Sequence, residues 1–393
     1  MKQGWEIKKI DDVCTIKGRI GYRGYTKQDL VEKGEGAISL SPSNIKDDKI
    51  VFDKCTYISW FKYNESPEIM IYNGDIIYCK TASIGKIALI ESLPEKATIN
   101  PQFVVLKDLK CSNKYLYFYM ISKGFKVQID KIIGGTAIPT LSQANLGNLQ
   151  IPLPPVSEQK EIVAILDKAF ADIAKAKENA EQNLKNAEEL FESYLQNIFE
   201  NPQWEIKKTG DVCKVIAGQS PEGKYYNKEK KGLPFYQGKK EYGEKYIGEP
   251  TTWTTKVTKE AEKGDILMSV RAPVGPINIA TQKICIGRGL ASIRATKLIN
   301  REFLYNFLLK HESEIIGNTG AVFNSINKSQ IEAIEIPLPP MPEQHKIVKK
   351  LDSLSVETKQ LESIYQQKIN DLEELKKSIL QKAFNGELKS AKV

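Results

Sequence analysis

The sequence predicts an α+β protein: two mixed α/β domains are joined by two long helices that form an antiparallel intramolecular coiled coil with pseudo-twofold symmetry. Two observations support this prediction. The chain contains a direct internal repeat, and each copy of the repeat ends in a long segment whose apolar residues recur at spacings of three and four. A more variable region precedes each of these segments.

Composition places the chain among globular proteins. The 393 residues carry a formal net charge of +8, and an apolar content of 41% is enough to build a core in each of about two or three domains. No apolar run reaches the roughly 18 residues of a membrane span. The first residues lack the apolar stretch of a signal peptide, so we expect a cytoplasmic protein. Six separated cysteines and two histidines argue against a disulfide framework, a zinc site or a histidine-dependent triad.

Two sequence blocks define the repeat. WEIKKIDDVC at 5–14 returns as WEIKKTGDVC at 204–213, with eight identities in ten positions. IPLPPVSEQKEIVAILD at 151–167 returns as IPLPPMPEQHKIVKKLD at 336–352, with eleven identities in seventeen. A weaker match, the tripeptide G-D-I, lies between the blocks in both copies. The order of these blocks predicts four segments: a first head (1–150), a first helical segment (151–201), a second head (202–335) and a second helical segment (336–393).

Each helical segment follows a proline-rich stop, which allows a helix to begin near Ser157 or Pro342. Each helix would span about forty residues, or roughly 60 Å at 1.5 Å per residue. Both copies contain one step in which the spacing is four twice in succession, so the two seams match and favour pairing of the helices with each other. For a direct repeat, this pairing is symmetric only when the helices are antiparallel. We expect the seam to include Ile162, Leu166, Ile173, Leu184, Phe191 and Ile198 in the first helix, and Ile347, Leu351, Leu361, Ile369, Leu372 and Ile379 in the second.

The heads have the pattern of mixed α/β domains. Short strand-like runs such as Asp75 to Cys79 and Asp265 to Val270 alternate with turn residues, while Lys114 to Lys123 and Arg301 to His311 are typical of short helices. Tyrosines are interleaved with lysines and arginines in both heads. Basic side chains neutralise phosphates and polar ones can reach base edges, although the same composition is common on an ordinary solvated surface.

Several motifs approach a catalytic pattern and fail. The stretch 218–224 has the spacing of a phosphate-binding loop, but Tyr225 occupies the position of the Mg²⁺-binding hydroxyl. Asn100-Pro101-Gln102-Phe103 resembles an amino-methyltransferase tetrapeptide without its second proline, and a turn or the entry to a strand explains it better. His345 aligns with Lys160 of the first copy, which indicates a solvated position, and His311 suits a helix C-terminus. We identify no catalytic constellation.

The doubled I-P-L-P-P-x-x-E-Q-x-x-I-V-x-x-L-D block, each copy preceded by a head that opens with W-E-I-K-K and contains G-D-I, resembles the DNA-specificity subunit of type I restriction-modification systems. The resemblance covers essentially the whole chain. G-Q-S-P from Gly218 and G-L-P-F-Y-Q-G from Gly232 are similar to one common class of these target-recognition domains, and G-R-I-G-Y-R-G-Y-T from Gly18 resembles another.

The resemblance implies a subunit without chemistry or cofactor of its own that reads a bipartite DNA site, one half with each head. It implies two adenine-N6 methyltransferase subunits as partners, which use S-adenosylmethionine, flip the target base and dock largely on the helical segments. Two restriction subunits, which use ATP and Mg²⁺, would complete the assembly. The unread spacer between the half-sites would reflect the length of the coiled coil.

Under this interpretation, the DNA-contacting residues lie in the loop after G-D-I and near the start and end of each head. In the first head we expect Tyr22, Arg23, Lys80, Thr81, Ser83, Lys86, Thr136 and Thr140. In the second head we expect Gln219, Ser220, Tyr225, Gln237, Lys239, Arg271, Arg288, Asn324 and Ser325. Arg271 suits guanine in the major groove, because a guanidinium can donate two hydrogen bonds to that base.

Two alternatives belong to other classes of function. A coiled-coil scaffold without a nucleic-acid role would need only the helical segments. A self-contained methyltransferase or nuclease would need a glycine-rich cofactor-binding turn, and the sequence lacks one. Absent or sequence-independent DNA binding by the assembled complex would favour the scaffold. Methyl transfer by the isolated chain would favour the self-contained methyltransferase.

Overall fold

The computed structural model describes residues 2–133, 140–312 and 325–388. They form two units: one comprises the residues up to Ala180 together with those from Gln367 onward, and the other is Glu181–Gln366. Each unit contains one head and the parts of the long helices that pack against it. The boundary between the two units crosses both long helices. It therefore does not test the bounds of the four predicted segments, which remain a prediction.

The strands of the head in the first unit are β1 (Glu6–Lys9), β2 (Thr15–Gly18), β3 (Leu30–Val31), β4 (Gly36–Leu40), β5 (Ile45–Lys46), β6 (Lys49–Ile50), β7 (Thr56–Ser59), β8 (Met70–Ile71), β9 (Ile76–Cys79), β10 (Ile87–Leu89), β11 (Ala97–Ile99), β12 (Phe103–Lys107) and β13 (Gln150–Leu153). They form a four-stranded antiparallel sheet in the order β10-β9-β12-β2 and a five-stranded sheet in the order β3-β7-β4-β11-β8, in which only the β4–β11 pair is parallel. Its helices are α1 (Ile10–Val13), α2 (Trp60–Asn64), α3 (Asn113–Met120), α4 (Lys123–Ile133) and α5 (Gln143–Gly147), and α6 (Val156–Phe199) follows it.

The head of the second unit repeats this topology. Its strands are β14 (Glu205–Lys208), β15 (Cys213–Ala217), β16 (Tyr226–Asn227), β17 (Leu233–Tyr236), β18 (Trp253–Thr254), β19 (Glu260–Ala261), β20 (Ile266–Ser269), β21 (Ile277–Ile279), β22 (Ile284–Ile286), β23 (Leu290–Ala295) and β24 (Glu335–Leu338). The four-stranded antiparallel sheet has the order β15-β23-β20-β21, and the five-stranded sheet has the order β16-β18-β17-β22-β19, with β17 and β22 parallel. Its helices are α7 (Thr209–Val212), α8 (Arg301–Lys310) and α9 (Lys328–Glu332), and α10 (Met341–Phe384) follows it.

The strand after G-D-I lies between two cores, which explains its unbroken run of apolar residues. Successive side chains of a strand point to opposite faces. In β9, Ile76 and Tyr78 therefore join the core beneath the helices, whereas Ile77 and Cys79 join the core between the two sheets. In β20 the same alternation separates Leu267 from its neighbours in the strand.

The two blocks of the sequence repeat pair with each other in each unit. The W-E-I-K-K strand β1 pairs antiparallel with the I-P-L strand β13, so that Ile7 lies opposite Pro152. In the second unit β14 pairs with β24 in the same register, with Ile206 opposite Pro337. Each head is thus closed by a two-stranded ribbon made of its first and last strands, and the long helix starts directly after this ribbon.

The long helices begin within one residue of the predicted starts, at Val156 and Met341, and each has 44 residues. In the first unit they run antiparallel: the Lys376 ammonium lies 5.1 Å from the centre of the Phe170 ring, and further along α6 Lys177 Nζ lies 2.7 Å from Glu373 Oε1. None of the described helices is both long and apolar enough to span a membrane.

In the second unit the late end of α6 packs beside the start of α10, since Leu195 and Ile198 share a core with Ile347 and Leu351. The helices therefore run antiparallel in this unit as well. The structure buries or half-buries every seam residue expected from the sequence: Ile162, Leu166, Ile173, Leu184, Phe191, Ile198, Ile347, Leu351, Leu361, Ile369, Leu372 and Ile379.

A buried glutamine connects each proline-rich stop to its head. Gln344 is 1% exposed; its Oε1 accepts from the Asn300 N–H (2.7 Å), and its Nε2 donates to Pro339 O (2.8 Å). Gln159 occupies the same place in the first unit and bonds in the same way to the backbone of Ser112 and to Pro154 O. The glutamine of the repeated E-Q pair thus fixes the angle at which each helix leaves its head.

We expect Gln344→Ala to lower the free energy of unfolding by about 2 kcal/mol, because it leaves buried backbone groups without partners. Urea titration of the full chain measures this loss. The matched control is Gln360→Ala, which removes an exposed glutamine from the same helix and should change stability by less than about 0.5 kcal/mol. Equal effects of the two substitutions would contradict the bridging role of Gln344.

Candidate nucleic-acid interface

The G-D-I tripeptide builds a turn rather than a binding site. Gly264 has φ of +93°, a conformation that favours glycine. Asp265 is 3% exposed and accepts two hydrogen bonds from the Arg294 guanidinium, both 2.8 Å, and one from the Ser292 hydroxyl. These bonds to the carboxylate raise the pKa of Arg294. In the first head the aspartate of the motif is Asp75, and its carboxylate Oδ2 lies 2.6 Å from Lys107 Nζ. The motif therefore fixes the strand from which the next loop projects.

The loop after this strand contacts the late part of the head. The residues expected in these two places can therefore belong to one site. In the first head Thr81 forms a β-bridge with Thr140, and the Leu141 N–H donates to Lys80 O (2.8 Å). In the second head Arg271 forms the equivalent bridge with Ser325. The structure thus brings together residues that lie more than fifty positions apart in sequence.

The same loops contact the ends of the parallel strand pair. Parallel strands end at the same edge of a sheet, so the turns that follow them meet. Asn100 N–H donates to Leu40 O (2.9 Å) in the first head, and Gly287 N–H donates to Tyr236 O (2.8 Å) in the second.

A further bond joins each turn to the G-D-I loop: Lys80 N–H donates to Gln102 O (2.8 Å), and Val270 N–H donates to Gly289 O (2.9 Å). Each head therefore carries one connected surface of loops, which we name its loop edge. It comprises residues 19–25, 41–44, 80–86, 100–102 and 140 in the first head, and residues 218–221, 237–239, 270–275, 287–289 and 325 in the second.

Three of the expected residues of the second head form a hydrogen-bonded cluster. The Ser220 hydroxyl accepts from the Arg288 backbone N–H (3.1 Å) and donates to Gln237 Oε1 (2.9 Å). Gln219 is exposed and is held by its backbone, which donates to Ile286 O and accepts from the Thr258 hydroxyl. The cluster borders an open cleft of about 730 Å³ whose lining includes Ser220, Tyr226, Phe235, Gln237, Thr251 and Arg288.

The second loop edge is rich in positive charge. Arg271, Arg288 and Lys239 are exposed, and among the described residues no carboxylate lies within ion-pair distance of the two arginines. The expected residue Tyr225 lies outside this edge; it is half-buried between two ammonium groups, with Lys224 Nζ 5.2 Å and Lys256 Nζ 5.1 Å from its ring centre. Exposed guanidinium groups beside polar side chains are suited to phosphate and base contacts.

The first loop edge also carries cations, but several of them already have partners within the head. Arg23 lies 3.5 Å from the Glu68 carboxylate, and Lys86 Nζ donates to Pro42 O (2.8 Å). Lys80, Thr81 and Ser83 are half-buried and Thr140 is exposed. The Tyr22 side chain, Thr136 and Asn324 lie outside the described part of the structure.

Sequence reasoning missed a buried arginine that shapes this edge. Arg19 is 8% exposed; its guanidinium donates to Ile99 O (3.2 Å) and Arg23 O (3.3 Å) and lies 5.2 Å from the centre of the Tyr25 ring. Burial lowers the pKa of Arg19. Arg19 thus holds the G-R-I-G-Y-R-G-Y-T segment against the end of the parallel strand pair.

Polar residues directly after buried strands were also missed. Ser41 and Asn44 follow β4, and Asn100 and Gln102 form the turn between β11 and β12. The prediction of a turn at Asn100-Pro101-Gln102 is confirmed. The available signal was the position of these residues at the ends of apolar runs, which marks the edge of a sheet.

The rejected motifs have ordinary structural roles. The stretch 218–224 leads into a single 3₁₀ turn at Gly223–Tyr225 rather than the helix of a phosphate-binding loop. His345 is exposed, and His311 caps α8 with its ring 4.3 Å from that of Phe307.

Burial raises the pKa of both Cys14 and Cys213 to about 12. Within residues 2–133, 140–312 and 325–388, no cluster of three or more acidic, histidine or cysteine side chains could hold a metal ion.

The fold and its loop edges define a class of protein: a duplicated recognition protein, in which each mixed α/β head presents a polar loop edge and is joined to paired long helices. Sequence comparison then identifies the family. The chain belongs to the family described as the type I restriction modification DNA specificity domain, whose model matches residues 2–183 and 201–374.

Individual relatives agree with this membership. The chain is 33% identical over 411 aligned residues to the protein assigned as the MjaX type I restriction enzyme specificity subunit of Methanocaldococcus jannaschii, covering 98% of this chain and 94% of the relative. It is similar to the crystal structure of the HsdS subunit from Thermoanaerobacter tengcongensis, with a TM-score of 0.69, 29% identity and 98% of each chain covered. A chain from a structural study of assembly and conformational transition in the type I R-M system matches with a TM-score of 0.76 and 29% identity over 98% of this chain and 99% of that one.

We expect Asp265→Asn to lower the free energy of unfolding by about 2 kcal/mol, which is less than for a fully buried pair because Arg294 is one-third exposed. Every partner of the carboxylate is a donor, so the new amide NH₂ would have to face another donor. Chemical denaturation measures the change. Asp352→Asn, at an exposed position of the same unit, is the control, and a similar effect at both positions would argue against this role of the G-D-I aspartate.

We expect Arg271→Ala to weaken specific DNA binding by about 1–3 kcal/mol and to relax the preference at one base position. Binding is measured with the methyltransferase subunits present, on a panel of single-base variants of the recognised site. Arg301→Ala is the matched control, because Arg301 is exposed in the same unit but pairs with Glu302. An unchanged base preference in Arg271→Ala would remove this residue from the interface.

Proposed function

We propose that this chain is the DNA-reading subunit of a type I restriction-modification complex and that it directs adenine-N6 methylation and restriction by partner subunits. Each head reads one half of a bipartite site in double-stranded DNA through its loop edge. The chain supplies no chemistry of its own. The observation that carries the proposal is that two loop edges with the same backbone hydrogen bonds present different side chains, as the readers of two different half-sites must.

Family membership supports the choice of partners. The relatives are named specificity subunits of type I restriction enzymes, and a specificity subunit requires others to perform the reaction. We propose two methyltransferase subunits that bind S-adenosylmethionine and dock largely on the helical segments, and two restriction subunits that use ATP and Mg²⁺. The proposal places the protein in the cytoplasm, where it reaches DNA directly.

The individual contacts follow from the charge and exposure of the described residues. Arg271, Arg288 and Lys239 are exposed on the second loop edge and can reach bases or phosphates. In the first head Lys80, Thr81 and Thr140 occupy the corresponding place, and the hydroxyl groups can donate to or accept from a base edge. A scaffold without a nucleic-acid role is disfavoured, because it would need no such repeated loop surface.

Co-expression of the chain with its methyltransferase subunit, followed by sequencing of methylated adenines across the host genome, tests the proposal. We expect one motif composed of two short half-sites separated by a spacer of constant length. Replacing the second head by that of a relative should change one half-site and leave the other unchanged.

The isolated chain with S-adenosylmethionine and DNA is the control, and we expect no methyl transfer from it. Methylation by the isolated chain would support the alternative of a self-contained methyltransferase. The absence of any sequence-dependent methylation or DNA binding by the assembled complex would contradict the proposal and favour a scaffold.

A further inference from the structure

The hydrogen bonds within the second loop edge fix the chemistry that this edge can present to a base. The Ser220 hydroxyl accepts the Arg288 backbone N–H and uses its own hydrogen for Gln237 Oε1. The carbonyl end of the Gln237 amide is therefore engaged inside the protein. None of the described residues forms a hydrogen bond with its Nε2, and the residue is exposed.

The backbone beneath Gln237 supports the same orientation. A Cβ placed on Gly287 would lie 2.8 Å from Gln237 Oε1 and 3.0 Å from the Gln237 Cα, so the amide oxygen rests directly over this glycine. The Ser220 hydroxyl thus holds the amide oxygen inward, in space that the missing side chain of Gly287 leaves open.

The other charged groups of the cleft leave donors exposed. Two carboxylates border the cleft: Glu241 Oε1 accepts from the Thr251 hydroxyl (2.9 Å), and Glu222 lies 2.6 Å from Lys224 Nζ. Arg271 and Arg288 can only donate. The described part of the edge thus offers hydrogen-bond donors from the Gln237 Nε2 and the two arginines.

We propose that Ser220 is a positioning residue for base readout, which holds Gln237 so that its NH₂ group faces the DNA. Through Gln237, Arg271 and Arg288 the second head then reads a guanine-containing half-site. Guanine presents two acceptors, O6 and N7, in the major groove, whereas a glutamine reads adenine with its oxygen and nitrogen together. Because the Gln237 oxygen already accepts from Ser220, Gln237 cannot form both of the hydrogen bonds that recognise adenine. This inference rests on the proposed function and specifies the substrate of the second loop edge.

The test uses the full chain in complex with its methyltransferase subunits and measures methylation of DNA in which the bases of the second half-site are varied singly. Ser220→Ala frees the Gln237 amide to rotate, and we expect one guanine position to become a purine position, with the preference for guanine over adenine falling about tenfold. Ser220→Thr keeps the hydroxyl and should retain the preference. Gly287→Ala should displace the amide oxygen and relax the same position.

Gln237→Ala identifies the position that Gln237 contacts, and thermal unfolding of each variant shows that it is folded. A second half-site composed only of A·T pairs would overturn the inference. An unchanged preference in Ser220→Ala, at a position that Gln237→Ala does alter, would also overturn it. In either case bipartite methylation by the wild type leaves the proposed function standing, whereas its absence contradicts the proposed function itself.

Discussion

Pairing of the two repeated sequence blocks with each other is the constraint on which each head depends. The ribbons β1–β13 and β14–β24 bring the beginning and end of a head together, and the buried Gln159 or Gln344 then ties the helix start to the head. Because entry, exit and helix direction are fixed there, the residues between the blocks can change without altering the frame. A constant ribbon and helix start with variable residues between them suit a protein whose heads read different sequences.

The loops between the repeated blocks are constrained in their backbone but differ in their side chains. The bonds that connect the loop edge, from Asn100 to Leu40 and from Gly287 to Tyr236, are equivalent in the two heads although the residues differ. Backbone groups are present at every position, so the loops keep their geometry while the exposed side chains change. The first edge presents hydroxyl and amide groups beside cations that contact other parts of the head, whereas the second presents exposed arginines. Two readers of unequal chemistry therefore arise from one topology.

Much of the candidate site could be predicted because it lies beside recognisable motifs. The loop after G-D-I was identified from the motif, and the bridges of Thr81 to Thr140 and of Arg271 to Ser325 place it where the late head residues return. Arg19, Ser41 and Asn100 were missed, because their position depends on the parallel pairing of strands far apart in the chain. The partners of Lys86 and Arg23 were equally invisible, since a lysine or arginine in a loop has no local signature of its future contact.

The sequence by itself determined the duplication, the extent of the two long helices and their seams, because the 3.6-residue period and proline stops act locally. It also predicted that the loop after G-D-I belongs to the DNA-contacting site. Only the tertiary structure decided which strands lie parallel, which turns meet at the loop edge, and that the Ser220 hydroxyl contacts the Gln237 amide oxygen above Gly287. These features depend on contacts between residues distant in sequence, and no local pattern encodes the distance between them.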